Sequence, residues 1–408
     1  MSGAKQEASV VFFAMPDESH FQRLRAVISG VVRHGATASV FTHSRFAPAV
    51  ADAGAEFVDM FARYPLEAAD DESLPVVSRY VTYAACYAQS IAQELEAAPP
   101  SVIVADTFAV IARAVAAILK VPFVNVCAGH NMTAERVFAE IAVYPSRIHT
   151  SERCHRAVEI LRERYGIADA SPFSYGTSLS PWLNLYCEPS AFLTEDERKA
   201  FEPIAFFGSL PERVATTRHA PYFGDTALKI YASFGTIIWR HYSDLAIAVL
   251  TAIADSVAML PDAELVVSLG RSGHSLGSTP PNVTVLDYVD QDPILREADV
   301  FISHQGLNST HEAILHTVPM VSYPFFWDQP GLAAKCATLG IAQPLTDTVR
   351  GPVTPAGVGR TLRRVLDDQA AIHERLREVR RWEMETIAAR DEILERIVAL
   401  PDSQLPHS

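Results

Sequence analysis

The sequence predicts an α/β protein built from two doubly wound, parallel-sheet domains in tandem. Three observations predict it. Short apolar runs alternate with helical stretches through both halves of the 408-residue chain, the rhythm of repeated βαβ units. The last strand–helix–strand unit of each half has one layout: SVIVAD-TFAVIARAVAAILK-VPFVNV in the first, DVFISHQGLNSTHEAILHT-VPMVSY in the second. Between the halves lies 208–226, GSLPERVATTRHAPYFGDT, a polar segment rich in turn residues and the best interdomain linker.

The elements follow in order. SVVFFAM is a buried strand, and residues 20–34 a helix ending at Gly35. ASVFTH and AEFVDM are the second and third strands. A long helix over about 75–97 stops at Pro99-Pro100; SVIVAD, a helix over 107–119 and VPFVNVC complete the half. The second half reads KIYASFG, a helix over 242–259, AELVVSL, NVTVLDY, ADVFISH, a helix over 307–316 and VPMVSYP. Residues 368–398 read as a charged amphipathic tail. The expected domains are 1–207, the linker 208–226, 227–367, and a tail 368–408 packing back on the first domain.

Composition narrows the function. With 49% hydrophobic and 20% charged residues, the chain is of ordinary globular type. A net charge of -14 argues against nucleic acid or an anionic membrane as the main partner. It leaves a nucleotide open, because a few N–H groups and side chains suffice to bind one. Cys86, Cys127, Cys154, Cys187 and Cys336 are scattered with no CxxC pair. That fits a reducing, cytoplasmic setting without a metal cluster. VVFFAM is too short for a secretory leader, and no window is long and apolar enough for a membrane-spanning helix.

Topology picks out the candidate site. In a sheet ordered 3-2-1-4-5, strands 1 and 4 are neighbours and ligands bind beyond their C-terminal ends. His20 and Asp106 stand there in the first half, and Ser233-Phe234-Gly235-Thr236 and His304 in the second. Two facing crevices would form an interdomain cleft, a common setting for small-molecule sites. His304-Gln305-Gly306-Leu307-Asn308-Ser309-Thr310-His311-Glu312 runs from a strand through a Gly turn into a helix, and FFWDQ follows the next strand. Free N–H groups and the helix dipole make such a start an anion site. The His, Asn, Ser and Glu around it, with Asp328 and Gln329, could hold a diphosphate, a ribose diol and a sugar.

This stretch resembles the donor-binding signature of the UDP-glycosyltransferases, the family 1 glycosyltransferases: His-x-Gly-x-Asn-Ser-x-x-Glu-Ala, then Val-Pro, then Pro-x-x-x-Asp-Gln. The match is close over about a third of the C-terminal half and looser elsewhere. The resemblance implies the GT-B fold, two Rossmann-like doubly wound domains facing a cleft. It implies that the second domain binds a nucleotide sugar and the first an apolar, hydroxyl-bearing small molecule. His304 would contact the α-phosphate, Asn308 and Ser309 the β-phosphate, and Glu312 the ribose hydroxyls, with Gly306 opening the helix. Ser233, Gly235 and Thr236 resemble the Ser-x-Gly-Thr loop near the diphosphate. Tyr288, Val289 and Gln291 fall where the family has the Trp-x-Pro-Gln base platform. Asp328 and Gln329 match the pair on the sugar hydroxyls. His20 would be the general base and Asp106 its orienting carboxylate.

Each assignment has a plainer alternative. His20 could be an idle helix N-terminal His, Asp106 a helix N-cap, and His304 a core or second catalytic His. Ser309-x-x-Glu312 is also a capping box. The Ser233–Thr236 turn could be ordinary, and Asp328-Gln329 a turn before Pro330. Tyr80, Tyr83 and Tyr87 have helical spacing, which suits core as well as an acceptor pocket with Phe108, His130 and Asn131. Asp290-Gln291-Asp292 reads as a chance DxD, so no metal or cofactor is expected and the UDP-sugar is a co-substrate.

The chain also departs from the family pattern. Ser19 stands in place of Gly before His20, Arg23 in place of a Pro after it, Gln305 in place of Gly or Cys, and Leu332 in place of an Asn. The expected activity is transfer of a hexose, glucose first, from UDP to an acceptor hydroxyl. A sugar-nucleotide epimerase and an inactive accessory protein are the alternatives.

Overall fold

The computed structural model of the chain describes residues 8–66, 78–127, 129–143, 150–210 and 220–402. The chain divides into two compact units, Met1–Gly208 with Thr386–Ser408, and Ser209–Glu385. Among the described residues no helix is long and apolar enough to cross a membrane.

The first unit holds seven strands among its described residues: Ser9–Phe13 (β1), Thr37–Thr42 (β2), Glu56–Asp59 (β3), Val102–Asp106 (β4), Phe123–Cys127 (β5), Leu183–Tyr186 (β6) and Ile204–Phe206 (β7). Their order is β3-β2-β1-β4-β5-β6-β7, and each pairing is parallel. Helices cover both faces of such a sheet, so its central strands are apolar throughout; Val10–Phe13 and Val102–Ala105 are buried accordingly. Glu18–Arg33 (α1), Arg79–Leu95 (α2) and Val110–Leu119 (α3) are three of these helices. The part of the expected 75–97 helix at 75–77 lies outside the described residues.

β6 and β7 were not expected. β6 is short and carries Asn184, which breaks its apolar run. The buried amide is satisfied locally, donating to the carbonyls of Ser180 at 2.8 Å and Phe201 at 3.1 Å. The short helix Glu195–Lys199 (α4) follows β6.

The second sheet has Leu228–Ser233 (β8), Ala263–Ser268 (β9), Val283–Leu286 (β10), Val300–Ser303 (β11), Met320–Ser322 (β12) and Ala342–Pro344 (β13), ordered β10-β9-β8-β11-β12-β13. The helix expected over 242–259 is Ser243–Val257 (α5), preceded by a separate turn of helix at Ile238–His241, because Tyr242 sits at φ -139 between them. Gln291–Glu297 (α6), Leu307–Leu315 (α7), Gln329–Thr338 (α8), Gln369–Ala388 (α9) and Arg390–Ala399 (α10) are among the helices that follow.

Two boundaries differ from expectation. The described end of the 208–226 segment is docked rather than loose: Tyr222 N–H donates to Glu297 at 3.1 Å, Gly224 N–H to Glu264 at 2.8 Å, and the Thr226 hydroxyl to Asp262 O at 2.7 Å. Residues 211–219 of that segment lie outside the described residues, as do 403–408 of the tail. The tail also divides: α9 up to Glu385 counts with the second unit, and the chain from Thr386, including α10, with the first.

Candidate active site

In the first unit β4 delivers Asp106 as its last residue, and His20 lies in the first turn of α1. His20 Nδ1 stands 3.4 Å from Asp106 Oδ1, with both side chains buried. That is longer than a formed hydrogen bond, an approach that can tighten around a substrate. Asp106 is not the helix cap, since Ala109 holds that position of α3. Its Oδ1 instead accepts the Phe108 N–H at 2.7 Å, an Asx-type turn that fixes the carboxylate. The Phe108 ring stacks on the His20 imidazole, centroids 3.6 Å apart. Tyr80, one of the helical tyrosines, donates its hydroxyl to Asp17 just ahead of α1 at 2.5 Å. Burial first, then the Asp17 charge, pushes its phenol well above the ordinary range.

The other acceptor candidates gather elsewhere. Tyr83 is 2% exposed, and its hydroxyl donates to Tyr64 O at 2.9 Å, which fits core rather than an open pocket wall. Tyr87 packs edge-on against Tyr83, its hydroxyl 3.3 Å from Pro65 O. His130 and Asn131 join a buried polar cluster beyond β5.

In the second unit His304 follows β11 and lies between two glycines. A Cβ on Gly235 would stand 2.9 Å from the imidazole, and one on Gly306 closer still. Gly235 also sits at φ +69, a conformation glycine adopts without steric cost. Burial lowers the His304 pKa to about 4, so the ring is neutral at physiological pH. Gly306 is the N-cap of α7. Ser309-x-x-Glu312 is therefore no capping box: Ser309 already lies inside the helix. Gln291 joins the two, its Nε2 donating to Glu312 at 2.5 Å and its Oε1 standing 3.4 Å from Ser309 Oγ. Burial, with smaller contributions from Asp292 and Asp290, raises the Glu312 pKa to about 7 against the Gln291 hydrogen bond.

The remaining donor candidates differ in exposure. Ser233 ends β8, and Thr236 is exposed just after Gly235. Tyr288 is 51% exposed, with the Arg271 guanidinium 4.0 Å over its ring, whereas Val289 is buried. Gln329 is 7% exposed, and its Oε1 accepts the Phe325 N–H at 2.9 Å. Asp328 is the N-cap residue of α8. Leu332 is fully buried: it packs into the core and does not form a pocket edge. Asp292 is taken by Arg296 at 3.0 Å and His316 at 2.7 Å, an ion-pair role for half of the DxD.

Sequence reasoning missed two supports and one unusual backbone conformation. Gln305, at φ +62, is fully buried; it accepts from Ser322 Oγ at 2.7 Å and donates to Thr310 Oγ1 at 3.1 Å, bracing α7 against β12. His311 and Glu383, both fully buried, pair α7 with α9. Trp327, in the loop before Asp328, holds φ +62, a strained setting for a bulky residue. A polar residue at an apolar-face position was the available signal for His311 and Gln305.

Comparison with known proteins agrees with this frame. A family model described as the C-terminal domain of erythromycin biosynthesis protein CIII-like proteins matches residues 251–400. An uncharacterized UDP-glucosyltransferase, YdhE of Bacillus subtilis, is 26% identical over 219 residues, 53% of this chain and 54% of that protein. The oleandomycin glycosyltransferase of Streptomyces antibioticus is 35% identical over 123 residues, 27% of this chain and 29% of that protein. The matched segments thus span about half or less of these relatives' lengths. Among solved structures, the glycotransferase of kitacinnamycin superposes with a TM-score of 0.77 at 23% identity, covering 96% of this chain and 100% of the other. The calicheamicin glycosyltransferase CalG4 gives 0.71 at 21% identity, covering 97% and 99%. The two parallel sheets and these structural neighbours show that the chain has the GT-B fold, and the signature at 304–329 with the matched C-terminal domain makes its second half similar to the UDP-glycosyltransferases.

Proposed function

We propose that the chain is an inverting, metal-independent glycosyltransferase that moves a hexose, glucose first, from UDP to a hydroxyl of a small-molecule acceptor. The observation that carries this reading is the His20–Asp106 pair at the end of β4, buried and stacked under Phe108. An acceptor hydroxyl is a poor nucleophile until its proton leaves, and an imidazole held by a carboxylate is suited to take it. With Nδ1 turned to Asp106, Nε2 is the base. The acceptor oxygen forms a bond to the anomeric carbon as the bond to the diphosphate oxygen breaks, through a transition state of oxocarbenium character. The departing electron pair goes to UDP, whose charge meets the N–H groups opening α7, with Ser309, Thr236 and the neutral His304 as further donors. Glu312 takes the ribose diol, which favours UDP over TDP. Asp328 and Gln329 favour a fully hydroxylated sugar, because a missing hydroxyl leaves buried polar groups unpaired.

The test is transfer from UDP-glucose in the presence of EDTA, read by product mass against a panel of phenolic and polyketide acceptors with TDP-deoxysugars competing. His20→Ala should cut turnover by about 10²–10⁴ while UDP binding holds, and Asp106→Asn should fall between. Unchanged turnover in His20→Ala overturns the base; a requirement for a divalent metal overturns the metal-free mechanism; a dominant TDP-deoxysugar product overturns the donor. Any glycoside product also excludes the epimerase and the inactive scaffold.

A further inference from the structure

A second polar cluster lies at the C-terminal edge of the first sheet, beyond β5 and β6. His130 Nδ1 stands 2.7 Å from Glu188 Oε2, with the two residues 4% and 1% exposed. Tyr186, the last residue of β6, donates its hydroxyl to the same oxygen at 2.8 Å and accepts the Asn131 N–H at 2.9 Å. Asn131 Nδ2 donates to Glu197 Oε1. Glu197 is itself held in the capping box of α4, its Oε2 accepting from Thr194 N–H at 2.8 Å and Thr194 Oγ1 at 3.0 Å. These bonds fix the amide: its nitrogen faces the carboxylate, so its oxygen faces away. That oxygen is buried without a partner among the described groups, on a residue 2% exposed.

Asn131 also holds φ +47. Asparagine adopts this left-handed region more readily than most side chains, so the open acceptor carries the argument. A buried acceptor left open is suited to a donor from a ligand. Two carboxylates stand behind. Such a set suits a hydrogen-bond donor, a hydroxyl or an ammonium. Neighbouring strands lie about 4.8 Å apart, so the cluster beyond β5 and β6 is roughly 5–10 Å along the sheet edge from Asp106 at the end of β4. A molecule with one hydroxyl at His20 can reach it with a second polar group.

We infer that Asn131, backed by the His130–Glu188 pair, forms a second, polar subsite of the acceptor-binding unit, for a hydroxyl or ammonium at the far end of the acceptor. The acceptor is then bifunctional rather than uniformly apolar. The inference rests on reading the first unit as the acceptor side.

Three phenols that share a ring and differ only at the para end test it: 4-ethylphenol, tyrosol and tyramine. Each is titrated into the full-length protein and followed by ligand-observed NMR, without donor or turnover. Tyrosol, tyramine or both should bind about tenfold tighter than 4-ethylphenol, the worth of one good hydrogen bond. A preference for tyrosol alone assigns a hydroxyl, and one for tyramine alone an ammonium. Asn131→Gly keeps the left-handed backbone and should erase the advantage while leaving 4-ethylphenol unchanged. Equal affinities in the unaltered protein, no binding by any of the three, or an advantage that survives Asn131→Gly overturns the subsite. Because binding is read without chemistry, failure of sugar transfer with the preference intact sinks the proposed function and not the subsite. Transfer without the preference does the reverse.

Discussion

Glu312 and His304 are both desolvated, with opposite results. Burial raises the carboxyl pKa to about 7 and lowers the imidazole pKa to about 4. At neutral pH the ring at the proposed diphosphate position is therefore neutral, while the carboxyl at the proposed ribose position is partly ionised. The sign for stability follows from linkage. Between the ordinary 4.5 and about 7 the folded chain keeps a proton on Glu312 that the unfolded chain has lost, so this residue's contribution falls as pH rises. For ligand binding the sign reverses, because ribose hydroxyls donate to the ionised form. UDP-glucose affinity should rise about tenfold from pH 6 to pH 8 and release protons on binding. Calorimetry in two buffers of different ionisation heat reads both. Glu312→Gln should bind more weakly and lose the pH dependence; a flat profile in the unaltered protein would count against the ribose role.

At the scale of elements, α7 explains what was legible and what was not. The strand–turn–helix at 300–315 is local, encoded by an apolar run, a glycine and a helical period, and so was the strand order of each half. The Ser309-x-x-Glu312 spacing was ambiguous. Which residue caps the helix depends on how soon it starts after β11, and Gly306 takes that place beside His304. β6, β7 and β13 escaped because runs of three or four residues carry no period, and Asn184 is tolerated only through carbonyls brought from Ser180 and Phe201. Partners distant in sequence were invisible for the same reason: nothing near His311 announces Glu383. That buried pair clamps the helix carrying Asn308, Ser309 and Glu312 onto α9. Glu383→Ala should cost about 1–3 kcal/mol of stability in urea unfolding and weaken UDP binding less than Glu312→Ala does. Unchanged stability would show that the clamp carries no weight.

At the scale of the whole molecule, the chain has two sheets, each with its own core, and a tail shared between them. The final segment from Thr386 counts with the first unit. There Arg390, 2% exposed, donates its Nε–H to Phe207 O at 2.7 Å and lies 4.6 Å from the Phe207 ring centroid. Removing this guanidinium deletes a charged hydrogen bond and a desolvated cation–π contact, together about 2–4 kcal/mol. The residues proposed to hold UDP all belong to Ser209–Glu385, so damage at Arg390 and loss of nucleotide binding should separate. Arg390→Ala should lower the thermal midpoint by roughly 5–15 °C. At a temperature where the variant is folded, its UDP affinity should stay within about twofold of the unaltered protein, since each compact unit carries its own core. Saturating UDP at 100 times Kd should still add about 2.7 kcal/mol to the unit that binds it. A variant that keeps its thermal midpoint but loses UDP affinity would mean that the tail acts on the nucleotide site directly, and the division of labour between the two units would have to be redrawn.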